Sequence, residues 1–289
     1  MKIGFNLLLW TTHVTDEHLP LLAKLKQAGY DGVEIPIFEG DPAHFAKIGQ
    51  ALKNEGLGCT SVTVIPDEAH SPISPDAHHR AAAVQHIKWA IECSHALGSE
   101  VLCGPLHQPL GVFSGTGPTE QEKNWAADVH RQTAEFAKQA NLTIAIEYLN
   151  RFECYFLNTM ADAANFVKLV NHPNFATMYD TFHANIEEKD PIGCIAPAAK
   201  AIRHVHISEN DRGTPGRGHV PWAATFKALR AINYDGWMTI EAFGRALPAL
   251  AAATRVWRDL STSPEEVYTE GIATIRKHWQ AAAAAQASA

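Results

Sequence analysis

Residues 143–153, TIAIEYLNRFE, decide how this chain is read. The apolar alternation at Ile144 and Ile146 marks a short buried β-strand. That strand delivers one carboxylate, Glu147, at its end, and a second, Glu153, arrives in the loop just beyond. A carboxylate at the mouth of a buried strand is costly to desolvate unless a cation or hydrogen bonds offset the loss. The stretch therefore predicts a strand that ends in chemistry, and it calls for a partner from elsewhere in the chain.

Working outward, the same rhythm recurs. Short apolar or β-branched runs fall at 3–9, 32–37, 59–65, 100–104, 143–149, 176–181, 203–208 and 237–243. Between them lie amphipathic helical stretches at 16–28, 42–54, 76–97, 119–139, 160–169, 192–199 and 222–231, with two more at 254–260 and 264–277 after the last run. Alternating strand and helix signals predict a parallel sheet. Eight such units with right-handed crossovers close into an α/β fold of the (β/α)8 TIM barrel type. No linker-like stretch divides the chain, so residues 1–280 read as one barrel domain and 281–289, AAAAQASA preceded by one more alanine, as an Ala-rich tail. Gly29, Gly56 and Gly98 stand where helices should stop, and Thr15, Asp41 and Thr119 where they should start. A doubly wound open sheet competes, but it needs a glycine-rich turn after the first strand, and WTTHVTDEH at 10–18 has no glycine.

Composition bounds the function classes. The chain has 289 residues, 46% hydrophobic and 19% charged, enough to bury a large core. A net charge of −7 without a basic run speaks against nucleic acid as a partner. The opening MKIGFNLLLW is too short an apolar run for a membrane span or a signal peptide and merges into the first strand, so no membrane partner and a cytoplasmic location are expected. Five cysteines, odd in number and without a C-x-x-C pair, read as free thiols rather than a disulfide framework or a zinc ribbon. His78, His79, His86 and His130 have no ligand spacing and are expected on the surface.

In a barrel, function gathers where strands give way to the following loops. Glu147 closes IAIEYL, Asp180 closes ATMYDTF, His206 lies in RHVHISE, and Glu241 lies in MTIEAF. Two glutamates, an aspartate and a histidine make a mostly oxygen site, suited to Mn²⁺ or Mg²⁺, with Co²⁺ able to substitute. Singly, each has an ordinary reading: a cap, an ion-pair partner, or a core histidine with His204 as its outward neighbour. At the ends of four consecutive strands they argue for a metal, because three carboxylates without a cation would repel one another. Glu153, His183 and Arg212 follow the ligands into the loops. They are suited to an oxygen-rich substrate, while a surface salt bridge between Glu153 and Arg212 reads equally well.

The strings EYLNRFE, YDTFHANIEE, HVHISENDRGTPGRGH and IEAF resemble the ketose 3-epimerase family, which includes D-tagatose, D-allulose and L-ribulose 3-epimerases. The resemblance implies that Glu147, Asp180, His206 and Glu241 bind the metal, usually Mn²⁺. It also implies that Glu153, His183 and Arg212 grip the ketone end of a free ketose, and that the protein is a homodimer or homotetramer. Glu147 and Glu241 would then be the acid/base pair, one removing the C3 proton and the other returning one from the opposite face. The departures concern the far end of the sugar. Asn6 stands where the family commonly has an aromatic or a histidine, and Val14 where some members have tryptophan. The third and fourth loops, 64–76 and 103–111, differ as well and are expected to bring His70 and His107 to the mouth. Phe243 is suited to a sugar face or to the core, and Glu34 to a bond with His206 or the substrate. Three other readings compete: an aldose–ketose or hydroxypyruvate-type isomerase on the same barrel, an endonuclease of the apurinic-site type, and a catalytically silent binding barrel. The net charge and the single apparent metal site count against the endonuclease.

Overall fold

Each of the eight apolar runs forms a parallel strand in the computed structural model, which describes residues 1–287. They are β1 (Lys2–Asn6), β2 (Gly32–Pro36), β3 (Gly58–Val62), β4 (Val101–Gly104), β5 (Thr143–Ile146), β6 (Phe175–Asp180), β7 (Ile202–Ile207) and β8 (Trp237–Ile240). They pair in sequence order, and β8 closes the barrel against β1 with Phe5 opposite Ile240. The α-helices among the described residues are α1 (Leu19–Ala28), α2 (Pro42–Glu55), α3 (Ala77–Leu97), α4 (Glu120–Gln139), α5 (Met160–Val170), α6 (Thr181–Glu187), α7 (Trp222–Ala231), α8 (Pro248–Thr254) and α9 (Pro264–Ala287).

The helix ends follow from the residues that mark them. Asp41 accepts the His44 N–H at the start of α2, and Thr119 forms a reciprocal capping box with Glu122 at the start of α4. Gly29, Gly56 and Gly98 end α1, α2 and α3 in the left-handed region, at φ 96°, 66° and 84°. The larger apolar core lies between the barrel and its helices, where Leu22, Phe45, Ile87, Phe226 and Ile275 are buried. A smaller one fills the barrel itself with Val101, Cys103, Ala145 and Met178. Truncating a residue such as Phe226 to alanine is worth about 3–5 kcal/mol, because close packing leaves a cavity that relaxes only in part. At Gly104, with φ +123°, a Cβ would run into the Thr63 carbonyl, so only glycine lets the end of β4 lie this close to the end of β3.

Several expectations are corrected. The helix expected at 192–199 is only a 3₁₀ turn at Ala196–Ala198. The one expected at 254–260 lies earlier, at α8, because Pro248 favours a helix start and Arg255 ends it in the left-handed region at φ 61°. Helix α9 runs on into the alanine tail, where Ala282 is buried, and residues 288–289 of that tail lie outside the described residues. His130 is fully buried rather than on the surface, with its ring 4.9 Å from that of Phe175. The five cysteines are free. Among the described residues no helix is long and apolar enough to cross a membrane.

Candidate active site

The ends of β5 to β8 bring four ionisable side chains together. Glu147 and Glu241 sit one residue beyond β5 and β8 but still ride on the barrel, their N–H groups donating to Gly104 O (3.0 Å) and Ile207 O (3.2 Å). Asp180 ends β6, and His206 faces inward from β7. One ligand atom from each lies within 4.8 Å of the others, and all four residues are buried. His206 Nδ1 is central: it is 3.8 Å from Glu147 Oε1, 3.5 Å from Asp180 Oδ2 and 3.4 Å from Glu241 Oε1.

Each member is aimed by a neighbour. Asp180 also caps α6, its Oδ1 accepting the Phe182 and His183 N–H groups at 2.6 and 3.2 Å, which leaves Oδ2 for the cluster. Glu34, wholly buried on β2, accepts from Asn6 Nδ2, Thr60 Oγ1, His204 Nε2 and His206 Nε2 at 2.8–2.9 Å and from Cys103 Sγ at 3.2 Å. Because the Nε2–H of His206 is spent on Glu34, its Nδ1 is the ring nitrogen turned toward the carboxylates. His204 is therefore not the outward neighbour expected of it. Residues two apart on a strand share a face, and both imidazoles point into the barrel.

The electrostatics describe a cluster with too much negative charge. Burial, with Asp180 and Glu34 nearby, pushes Glu241 up to about 7 against the pull of His206. Burial likewise raises Glu147 well above the usual carboxylate range, aided by Glu241 and Asp180. Burial alone would lower His206, but Glu34, Glu241 and Asp180 around it hold it well above its ordinary value. Two ligand atoms, Asp180 Oδ2 and His206 Nδ1, are buried without a hydrogen-bond partner. A divalent cation among the four donors would partner both orphans and offset the repulsion, so the residues fit a metal.

On the loop side, Arg212 pairs with Glu153 at 3.0 Å in a nearly buried position, so the expected pair exists but lines the cavity instead of the surface. The guanidinium is stacked between Phe182 and Phe243, 4.1 and 5.1 Å from the ring centroids, and donates to Thr254 O. Its backbone sits at φ 65°, a conformation that costs about 1–3 kcal/mol in a non-glycine residue. The Phe243 N–H bonded to Arg212 O helps hold it there. His183 accepts the Asn150 N–H at Nδ1 (2.9 Å), which fixes its hydrogen on Nε2, 3.7 Å from Glu147 Oε1. Glu153 is held below the usual range, Arg212 and His183 outweighing the effect of burial.

Glu147, Glu153, His183, Arg212, Glu241 and Phe243 thus meet around one cavity. Three expected members, Asn6, His107 and His70, do not line it, His70 pairing instead with Asp67 at 2.7 Å. Asn6 is buried under the cluster, donating to Glu34 and, at 3.3 Å, to Glu241. His107 is not at the mouth: it is fully buried, stacked 5.8 Å from Phe156, and burial pushes it down to about 3. The sequence reading missed Asn150 and Phe182, which position His183 and Arg212. A polar residue in the first loop turn after Glu147 was the available signal for Asn150.

Fold and site together define a xylose isomerase-like TIM barrel, and the family model of that description matches residues 22–278. The chain is 30% identical to a probable ketose 3-epimerase of Synechocystis sp., with 97% of each chain covered, and 32% identical to a ketose 3-epimerase of Arthrobacter globiformis, with 96% of each covered. Its fold is similar to the solved structure of an L-ribulose 3-epimerase, with TM-score 0.93 and 31% identity over 100% of this chain and 98% of that one. The chain belongs to the ketose 3-epimerases, and so to the isomerase class of enzymes.

Proposed function

We propose that this enzyme epimerises free ketoses of the D-tagatose, D-fructose, D-allulose and L-ribulose class at C3, with Mn²⁺ in the cluster and Mg²⁺ or Co²⁺ as substitutes. The observation that carries the reading is the placement of Glu147 and Glu241 at the two ends of the ligand row, after β5 and β8, with Asp180 and His206 between them. Glu147, Asp180, His206 and Glu241 hold the cation, which supplies positive charge against the negative charge that develops as C3 loses its proton. Glu147 or Glu241 takes that proton, leaving an enediolate, and the other returns a proton to the opposite face. Burial raises both carboxyls in the metal-free cluster; turnover requires one to be ionised and the other protonated, and the roles exchange with the direction of reaction. Arg212, His183 and Glu153 bind the ketone end, with Arg212 and His183 as donors and Glu153 as acceptor. Phe243 packs beside them. Asn6 and His107 act from beneath, by supporting Glu241 and the β4 loop.

The test is incubation with Mn²⁺ in D₂O across a panel of ketopentoses and ketohexoses. Deuterium should enter at C3 with formation of the C3 epimer. No exchange with any ketose, or label at C1 with an aldose product, sinks the reading. We also infer a cytoplasmic homodimer or homotetramer. Phe152 and Trp257 flank the mouth at 68% and 67% exposure, an apolar pair that a subunit contact would cover. Trp279 instead packs within the chain, on Phe226 and Arg230.

A further inference from the structure

Glu209 stands two residues past β7, fully buried, and does not line the catalytic cavity. Four N–H groups from the loop between β7 and α7, and from the first residue of α7, converge on its carboxylate. Oε1 accepts the Asn210 and Val220 amides, both at 3.0 Å. Oε2 accepts the Gly216 amide at 2.8 Å and the Trp222 indole N–H at 3.1 Å. The loop thus folds back onto its own start, and Gly218 passes so close that a Cβ there would run into the carboxylate.

Arg212 lies in the part of the loop that these bonds enclose. Its N–H donates to Glu209 O at 2.9 Å, and its left-handed backbone is one that only a surrounding structure can hold. The guanidinium meets Glu153, Thr254 O and the Phe182 and Phe243 rings, all on other segments, so its aim depends on where this loop sets its backbone. We propose that Glu209 is a positioning residue for the reaction: by gathering the loop around one carboxylate, it sets Arg212 where the guanidinium meets the ketone end of the substrate. The inference rests on the role given to Arg212 above.

Glutamine is a sharp probe, because each oxygen accepts two N–H groups and an amide NH₂ would face two donors in either orientation. In ¹⁵N-arginine-labelled, Mg²⁺-loaded enzyme, the Arg212 Nε–H signal is the one missing from Arg212→Ala, and Glu209→Gln should move it. With Mn²⁺ and the ketose of the panel above that exchanges fastest, Glu209→Gln should lower kcat/KM by about 10- to 10²-fold, the scale of a misplaced contact. Mn²⁺ affinity by titration calorimetry should hold. In the Arg212→Ala background the same substitution should cost less than about twofold, because residues that act through one another are not additive. Trp222→Phe keeps the carboxylate and removes one donor; it should give a smaller loss with the same coupling to Arg212, and it replaces Glu209→Gln should that variant not fold. An unmoved Arg212 signal, an equal loss in both backgrounds, or a matching loss of Mn²⁺ affinity overturns the inference. No exchange with any ketose removes the reading of Arg212 as the ketone anchor, and the arginine signal alone then decides whether Glu209 sets its position.

Discussion

The two halves of the barrel are built on the same strand rhythm and end differently. Strands β5 to β8 finish in Glu147, Asp180, His206 and Glu241, and their loops add Glu153, His183 and Arg212. Strands β1 to β4 and the segments that follow them give the cavity Leu8, Phe38, Val62, Val64 and Pro105, and their one buried acid, Glu34, is turned under the cluster rather than into the cavity. On the proposed function the difference divides the labour: one half would hold the reacting carbons, and the other would shape the space for the remainder of the substrate and brace the candidate ligands from below. Variation in the first half can then change the substrate while leaving the proton chemistry in place.

That division can be broken by three measurements. The largest effect belongs to the acid/base pair. Glu147→Gln or Glu241→Gln should cut C3 deuterium exchange by about 10²–10⁴-fold, the usual worth of a positioned acid or base. Residual exchange above a tenth of wild type would remove that residue from the pair. Next comes the brace. Glu34→Gln keeps the volume but weakens the bond that turns His206 Nδ1 toward the metal, so metal affinity by titration calorimetry should fall about 10–100-fold, with activity partly recovered at high metal. Unchanged affinity would make Glu34 a packing residue only.

The smallest effect is a pH dependence. In chelator, Glu241 sits near 7 and Glu147 and His206 also lie above their ordinary values. The folded cluster therefore holds more protons than the unfolded chain between about pH 4.5 and 7, and stability from these groups falls as pH rises through that window. Melting temperatures with and without Mn²⁺ should diverge toward pH 7, the loaded protein gaining, because the cation replaces the protons. A gap that narrows with rising pH would count against the cluster as the metal site.

Much of this was legible because barrel chemistry sits at strand ends, and each ligand follows an apolar run that announces its strand. Other features depend on contacts that sequence spacing hides. Helix α6 is seven residues long, too short for a periodic signal, and begins at a cap, Asp180, that also belongs to the candidate ligand cluster. His107 and His130 look polar in the sequence, yet they are packed among Phe156, Phe166 and Phe175, which come from distant parts of the chain. His204 is a different case: its parity with His206 was available from the two-residue repeat of a strand and was misread. That Val64, Pro105 and Leu110 reach the cavity is set by the conformation of residues 64–76 and 103–111, which their pattern does not reveal.

Asp180 has one oxygen on the amides that begin α6 and the other in the ligand cluster. Drawing charge toward a cation must thin the electron density available to the Phe182 and His183 N–H groups. Those two amides are thus an internal gauge of occupancy: their NMR shifts and hydrogen-exchange rates should track metal loading directly and without substrate.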